Sequence, residues 1–406
     1  MVRVLYITAT LPALTVTFIY NEIFRLRRGG LVVDTVSMNT PDDESISSEA
    51  RELRDSTLYL DQAGLSSKLF SFVVALLTKP VRTLRCCWWV ISARPAKFPK
   101  DYFRLAYHLI ESTYLVRRLK SEMPDHIHCH FINGPTSLGM FLAELAGIPY
   151  SFTMHASMIW LDPIAFQRKL ETCKFCVSIS DFNKNYVIKT YGRKFSDKIH
   201  IIHCGIDPDT NLQIGSGGNL LSSLRIVGVG QLNQRKGFHI LIPALARLRD
   251  KGLDFDCTIV GGGAERATLQ NLISELGLDD NVKLVGALHH EDVRRELKSA
   301  DIFVLPCIVS DDGWRDGIPV ALMEAMFCEV PVVSTSILGL PELIEDSVSG
   351  FLVPEKDPES LADAIQRLAD DPEMRREYGR QGRMKVISEF NNEKSAAQLR
   401  KLFECA

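Results

Sequence analysis

The sequence predicts an α/β protein of two doubly wound domains with mainly parallel sheets. Three observations carry this. Short β-branched runs alternate with amphipathic stretches, the signature of βαβ units. The alternation stops at a polar stretch, NLQIGSGGNLLSS, and then starts afresh. The chain has 406 residues, 46% of them hydrophobic, enough for two full cores.

In order along the chain, runs at 4–8, 32–38, 126–131, 150–154 and 176–179 read as strands, with helical patterns at 18–28 and 137–146 among them. IHIIHCGID reads as a strand ending near Gly205. After the polar stretch come strands at 224–229, 255–260, 282–285, 302–305 and 330–334, separated by helices at 237–251, 266–276, 292–299 and 319–327. The expected organisation is a first domain over 1–205, a linker over 206–222, a second domain over 223–385 and a closing segment over 386–406. In doubly wound sheets ligands sit at the carboxyl ends of the strands, so two such domains facing one another would form a cleft for chemistry.

Composition narrows the function classes. Forty-seven basic against fifty acidic residues give a net charge of −3, which argues against a nucleic-acid binder. No run approaches the ~18 apolar residues of a membrane span. The opening MVRVLYITAT reads as a strand and not as an export signal, so a cytoplasmic location is expected and the ten cysteines are read as reduced thiols.

Three segments carry candidate chemistry. In DGWRDGIPVALMEAM, Asp316 lies just before a helix opened by Gly317 and Pro319, and Glu324 lies two turns in. Free N–H groups at a helix start suit phosphate, and a carboxylate suits a vicinal diol of a sugar. A capped helix with two solvated acids fits the same spacing. In VGVGQLNQRKGFHILIPAL, a strand ends at Gly228 and Gly230, and Gln231, Arg235 and Lys236 follow before the next helix. Two cations there can neutralise a diphosphate, or simply be solvated. In SFTMHASMIW, His155 directly follows a strand, a position fit for catalysis or for structure.

Taken together with HIHCHFINGPTSLGMFLAELAGIPYSFTMHA, VSISDFNKNYV, TIVGGGAERATL, ADIFVLPC and GLPELIEDSVSGFLVPEKDPESLADAI, these segments resemble, over nearly the whole chain, the family 4 retaining glycosyltransferases of GT-B fold. The resemblance is closest to the exopolysaccharide enzymes of colanic acid and amylovoran type. It implies a sugar moved, with retention and without metal or other cofactor, from a UDP- or GDP-linked donor to a polyprenyl-diphosphate-linked or free oligosaccharide acceptor. By this resemblance Lys236 binds the donor diphosphate, with Arg235 and Gln231 beside it. Glu324 holds the ribose, Asp316 the sugar hydroxyls beside the Gly317 and Ile318 amides, and His155 faces the donor sugar. The closing segment looks like the family's final helix, which returns to the N-terminal domain. The chain departs from the family pattern at Gln231 (Arg), Asp316 (Glu), Met158 (Asp), Val16 (Glu) and Gly262 (an acid). These departures keep open a weakened binding or regulatory subunit, and the fold itself admits an epimerase or a phosphorylase.

Other signals are set aside. His126, His128 and His130 share one face of a strand but lack a companion ligand cluster, so no metal is expected. Cys173 and Cys176 form a lone CxxC, and the glycines at 261–263 do not complete a dinucleotide motif. Residues 68–104 mix eight Lys/Arg with six of the chain's Phe and Trp residues, which suits either contact with an anionic membrane or helices covering the first sheet. No motif addresses the oligomeric state.

Overall fold

The computed structural model describes residues 2–13, 16–41, 48–93, 99–155, 159–161, 163–207 and 223–405. They form two units, one from residues 1–202 with 393–406 and one from 203–392. Met158, Phe98 and residues 208–222 of the expected linker lie outside the described residues.

The N-terminal unit is built on a seven-stranded sheet. Its strands are β1 (Arg3–Thr10), β2 (Val32–Asn39), β3 (Leu58–Tyr59), β4 (His126–His130), β5 (Tyr150–Met154), β6 (Phe175–Ser178) and β7 (Ile199–Ile201), in the order β3-β2-β1-β4-β5-β6-β7. Every pairing is parallel, so every crossover needs a covering element. One face is covered by helices including Pro99–Arg118 and Gly134–Ala146, over Leu109, Phe141 and Phe152. The other carries helix Thr17–Arg28 and the end of helix Asn392–Glu404, whose Ala396, Leu399 and Phe403 join the core of Tyr6 and Ile23. Arg25 reinforces that contact, donating to Glu393 Oε1 at 2.9 Å.

The C-terminal unit holds six parallel strands: β8 (Leu224–Val229), β9 (Phe255–Val260), β10 (Val282–Gly286), β11 (Ile302–Leu305), β12 (Val332–Thr335) and β13 (Gly350–Val353), in the order β10-β9-β8-β11-β12-β13. Where the chain enters and leaves this unit it is strapped to itself. Ile206 N–H donates to Phe390 O, and Asn392 N–H to Ile206 O, both at 3.0 Å.

Three details correct the sequence reading. The strand expected to run to Gly205 stops at Ile201. β3 and β13 were not anticipated: β3 is two residues long, below the length at which alternation is visible, and the four-residue β13 opens on Gly350, which reads as a turn. The helix expected from residue 319 starts at Val320, with Pro319 in an extended conformation as its cap, so Gly317 and Ile318 precede the helix.

Candidate active site

In both sheets the strand order reverses beside the first strand, between β1 and β4 and between β8 and β11. Ligands of doubly wound sheets bind outside the carboxyl ends at such switch points. In the C-terminal unit the loops there are 230–237 and 306–319.

The first loop is forced against the second by Gly237. Its φ is +71°, and a Cβ would lie 1.8 Å from the Pro306 carbonyl oxygen, so no side chain fits. Ile308 N–H then donates to Arg235 O at 2.9 Å. This places Arg235 and Lys236 over the second loop. Lys236 lays its methylenes along Gly230, and its Nζ is 3.0 Å from Asp316 Oδ2, an ion pair and not a well-directed hydrogen bond. Arg235 Nη1 is 3.3 Å from Asp316 Oδ1, and its guanidinium lies 5.7 Å from the Trp314 ring centre. These three charges are each 16–25% exposed, sheltered yet reachable. The Gly317 and Ile318 N–H groups have no backbone partner among the described residues, whereas in the first turn of helix Val320–Phe327 Leu322 N–H already donates to Pro319 O at 3.1 Å.

Glu324 stands on that helix with 18% exposure, and His290 Nε2 lies 3.8 Å from its Oε1. Burial pushes its carboxyl up to about 7, with Arg294 pulling weakly the other way. Burial, aided by Arg294, lowers His290. Gln231 is exposed and holds the Asn233 side-chain amide at 3.1 Å. Gly262 faces open space, its nearest neighbour Ala287 at 3.9 Å from a built Cβ.

In the N-terminal unit His155 follows β5 and is 8% exposed. Its Nε2 is 3.0 Å from His130 Nδ1, and the two rings stack. Phe18 and Phe131 pack on it, each 4.8 Å between ring centres. His130 Nε2 lies 3.1 Å from Glu22 Oε1, which also accepts the Tyr6 hydroxyl at 2.7 Å. A carboxylate accepts only, so His130 Nε2 carries its proton and Nδ1 accepts from His155 Nε2–H. That leaves Nδ1 of His155 as the acceptor. Burial, then His130, pushes His155 well below its ordinary value, so it is neutral. Glu22 and Tyr6 were not singled out from sequence, since the link to His130 spans 108 residues. Val16 is part-buried against the same core, at the start of helix Thr17–Arg28.

His126 and His128 share the Ser151 hydroxyl at 2.7 Å, and His128 Nε2 meets Thr153 Oγ1 at 3.0 Å. Glu22, His128 and His130 do bring three ligand atoms within 4.8 Å, but a cation there would have to displace the Thr153 and His130–Glu22 bonds.

Comparison with known proteins agrees with this architecture. Residues 219–385 match the family model "Glycosyl transferases group 1" and residues 59–210 that of "Glycosyltransferase Family 4". The amylovoran biosynthesis glycosyltransferase AmsK of Erwinia amylovora is 40% identical over 210 residues, 52% of this chain and 51% of that protein. WcaL of Salmonella typhimurium, whose name attaches it to colanic acid biosynthesis, is 35% identical over 211 residues, 51% of each chain. The matched segments thus span about half the length of these curated relatives. Among solved structures, HepE of Anabaena in complex with UDP superposes with a TM-score of 0.72 at 16% identity over 100% of both chains, a likeness of fold. The paired Rossmann-like units are therefore the GT-B fold, with a Family 4 glycosyltransferase match over 59–210 and a group 1 glycosyltransferase match over 219–385, and the chain is related to the enzymes of colanic acid and amylovoran biosynthesis.

Proposed function

We propose that the chain is a retaining, metal-independent glycosyltransferase of exopolysaccharide or surface polysaccharide biosynthesis. It takes a sugar from a UDP- or GDP-linked donor and gives it to a polyprenyl-diphosphate-linked oligosaccharide at the inner face of the cytoplasmic membrane. The observation that carries this is the convergence of Arg235, Lys236 and Asp316 within 3.3 Å at the β8/β11 switch point. HepE, the structural neighbour, binds UDP, which supports a nucleotide donor.

In this reading the bond between the anomeric carbon and the diphosphate oxygen breaks, its electron pair leaving with the diphosphate. Lys236 and Arg235 meet that developing charge, and the Gly317 and Ile318 amides add donors, as an oxyanion hole does. The acceptor hydroxyl oxygen bonds to the anomeric carbon on the face the diphosphate leaves, and its proton passes to the departing phosphate oxygen. Asp316 accepts from sugar hydroxyls and Glu324 from the ribose diol. His155, with Nδ1 as acceptor, is the sugar-contacting residue of the N-terminal unit.

The test is a thermal-shift screen against UDP, GDP, ADP and their sugar conjugates, with and without EDTA. A ligand that binds only the native state raises the melting temperature. One nucleotide is expected to do so equally with EDTA, and Lys236→Ala and Glu324→Ala are each expected to lose the shift. If both variants bind as the parent does, the donor site is assigned wrongly. If no nucleotide binds, the chain is a binding or regulatory subunit.

A further inference from the structure

Of the two helices after β3, Leu65–Thr78 has its amphipathic sense inverted and Pro80–Ile91 is apolar on both its buried and its exposed side. The first buries Lys68, Ser71 and Ala75 and leaves Leu69, Phe70, Val73 and Leu77 46–78% exposed. Lys68, 1% exposed, is held inside by Glu111 Oε1 at 3.0 Å and the Tyr107 hydroxyl at 2.9 Å. His108 closes the cluster, 3.2 Å from the other Glu111 oxygen. The second helix buries Thr83, Cys86, Trp89 and Val90 and still exposes Val81, Leu84, Trp88 and Ile91 at 60–69%. Their spacing of three, four and three makes one stripe.

Nine of the nineteen large exposed hydrophobics among the described residues fall in 65–91. A chain surrounded by water gains nothing from such a surface, whereas a covered one does. The charge pattern says by what. Between Asp61 and Asp101 there is no acid and there are seven Lys or Arg. Lys79 and Arg82 are fixed by carbonyls at the end of helix Gly134–Ala146, Lys79 Nζ donating to Leu145 O at 2.9 Å and Arg82 to Glu144 O at 3.3 Å. A second copy docked about a two-fold axis would set this acid-free basic segment against itself. Lipid phosphates supply the opposite charge. No helix among the described residues is long and apolar enough to cross a membrane, so the contact lies on the surface.

We infer that the 65–91 helix pair is a docking surface for an anionic bilayer, its apolar stripe entering the acyl boundary and the exposed Arg82 and Arg85 meeting the headgroups. The inference shares with the transfer reading only the expectation of a membrane-borne acceptor, and its test uses no nucleotide, so the two fail separately. The full chain is sedimented with vesicles of phosphatidylcholine alone or mixed with phosphatidylglycerol. Binding is expected only with phosphatidylglycerol and is expected to weaken as salt rises. The double variant Leu84→Ser/Trp88→Ser is expected to bind roughly tenfold more weakly or less, with an unchanged melting temperature because both side chains already face water. Leu77→Ser on the other helix should act the same way. Failure of the folded parent to bind phosphatidylglycerol vesicles, or equal binding by the variants, overturns the inference. So does a dimer by analytical ultracentrifugation that the double variant abolishes, which would make a second copy the occupant.

Discussion

A carboxyl held up to about 7 is half neutral at the pH where a ribose diol needs a carboxylate to accept both hydroxyls. Glu324 therefore ties two measurements to pH. Unfolded, it ionises near 4.5; folded, near 7; between these the native state binds more protons, so stability falls as pH rises across that window. Glu324→Gln removes the loss and is expected to stabilise the nucleotide-free protein at pH 8 by on the order of 3 kcal/mol, but hardly at pH 4. Nucleotide affinity, in contrast, should rise about tenfold from about pH 6 to about pH 8 in the parent and stay flat in the variant, as titration calorimetry would show. Asp316 allows an opposed pair. It neutralises Arg235 and Lys236 in place, so Asp316→Asn is expected to hold or raise affinity for a nucleoside diphosphate while transfer falls, whereas Lys236→Ala lowers affinity. Glu22 orients a network. Glu22→Gln keeps an acceptor for Tyr6 and His130, but Glu22→Leu orphans both donors and should cost about 2–4 kcal/mol in urea unfolding.

At the scale of elements, the site depends on how closely one turn approaches the next strand's end. Gly237→Ala puts a Cβ into the Pro306 carbonyl and a side chain at φ +71°, so the 230–237 loop must lift. A loss of about 2–4 kcal/mol is expected, together with loss of the nucleotide-induced thermal shift, since Arg235 and Lys236 move with the loop. Much of this was legible in sequence, because continuous β-branched runs such as LRIVGV and FDCTIV announce buried parallel strands. What was not legible is of two kinds. LY is a strand only because the longer β2 pairs with it, and GFLV only because β12 does. The Glu22–His130–His155 relay exists only after β1, β4 and β5 stand side by side. Local pattern carries neither.

At the scale of the whole molecule, the N-terminal unit is acid-sensitive by construction. Burial lowers His126 to about 4 and, with neighbouring histidines, pushes His128 well below its ordinary 6.5. The unfolded chain takes up those protons near 6.5, so stability is lost as pH falls from 6.5 toward 4. His126 alone should cost about 2 kcal/mol at pH 5, visible as a transition that moves to lower temperature with acid. Phe403 seals these rings, 5.3 Å from both His126 and His128, and Phe403→Ala should remove about 3–4 kcal/mol. The sealing helix joins the first unit from beyond residue 392, after the whole of the second. Translation therefore makes the N-terminal sheet early and delivers its cover late. Until residues 393–405 emerge, the face of Tyr6, His126 and His128 stays open on the ribosome, a nascent intermediate for chaperones to guard, while the C-terminal unit has every residue it needs and can fold first.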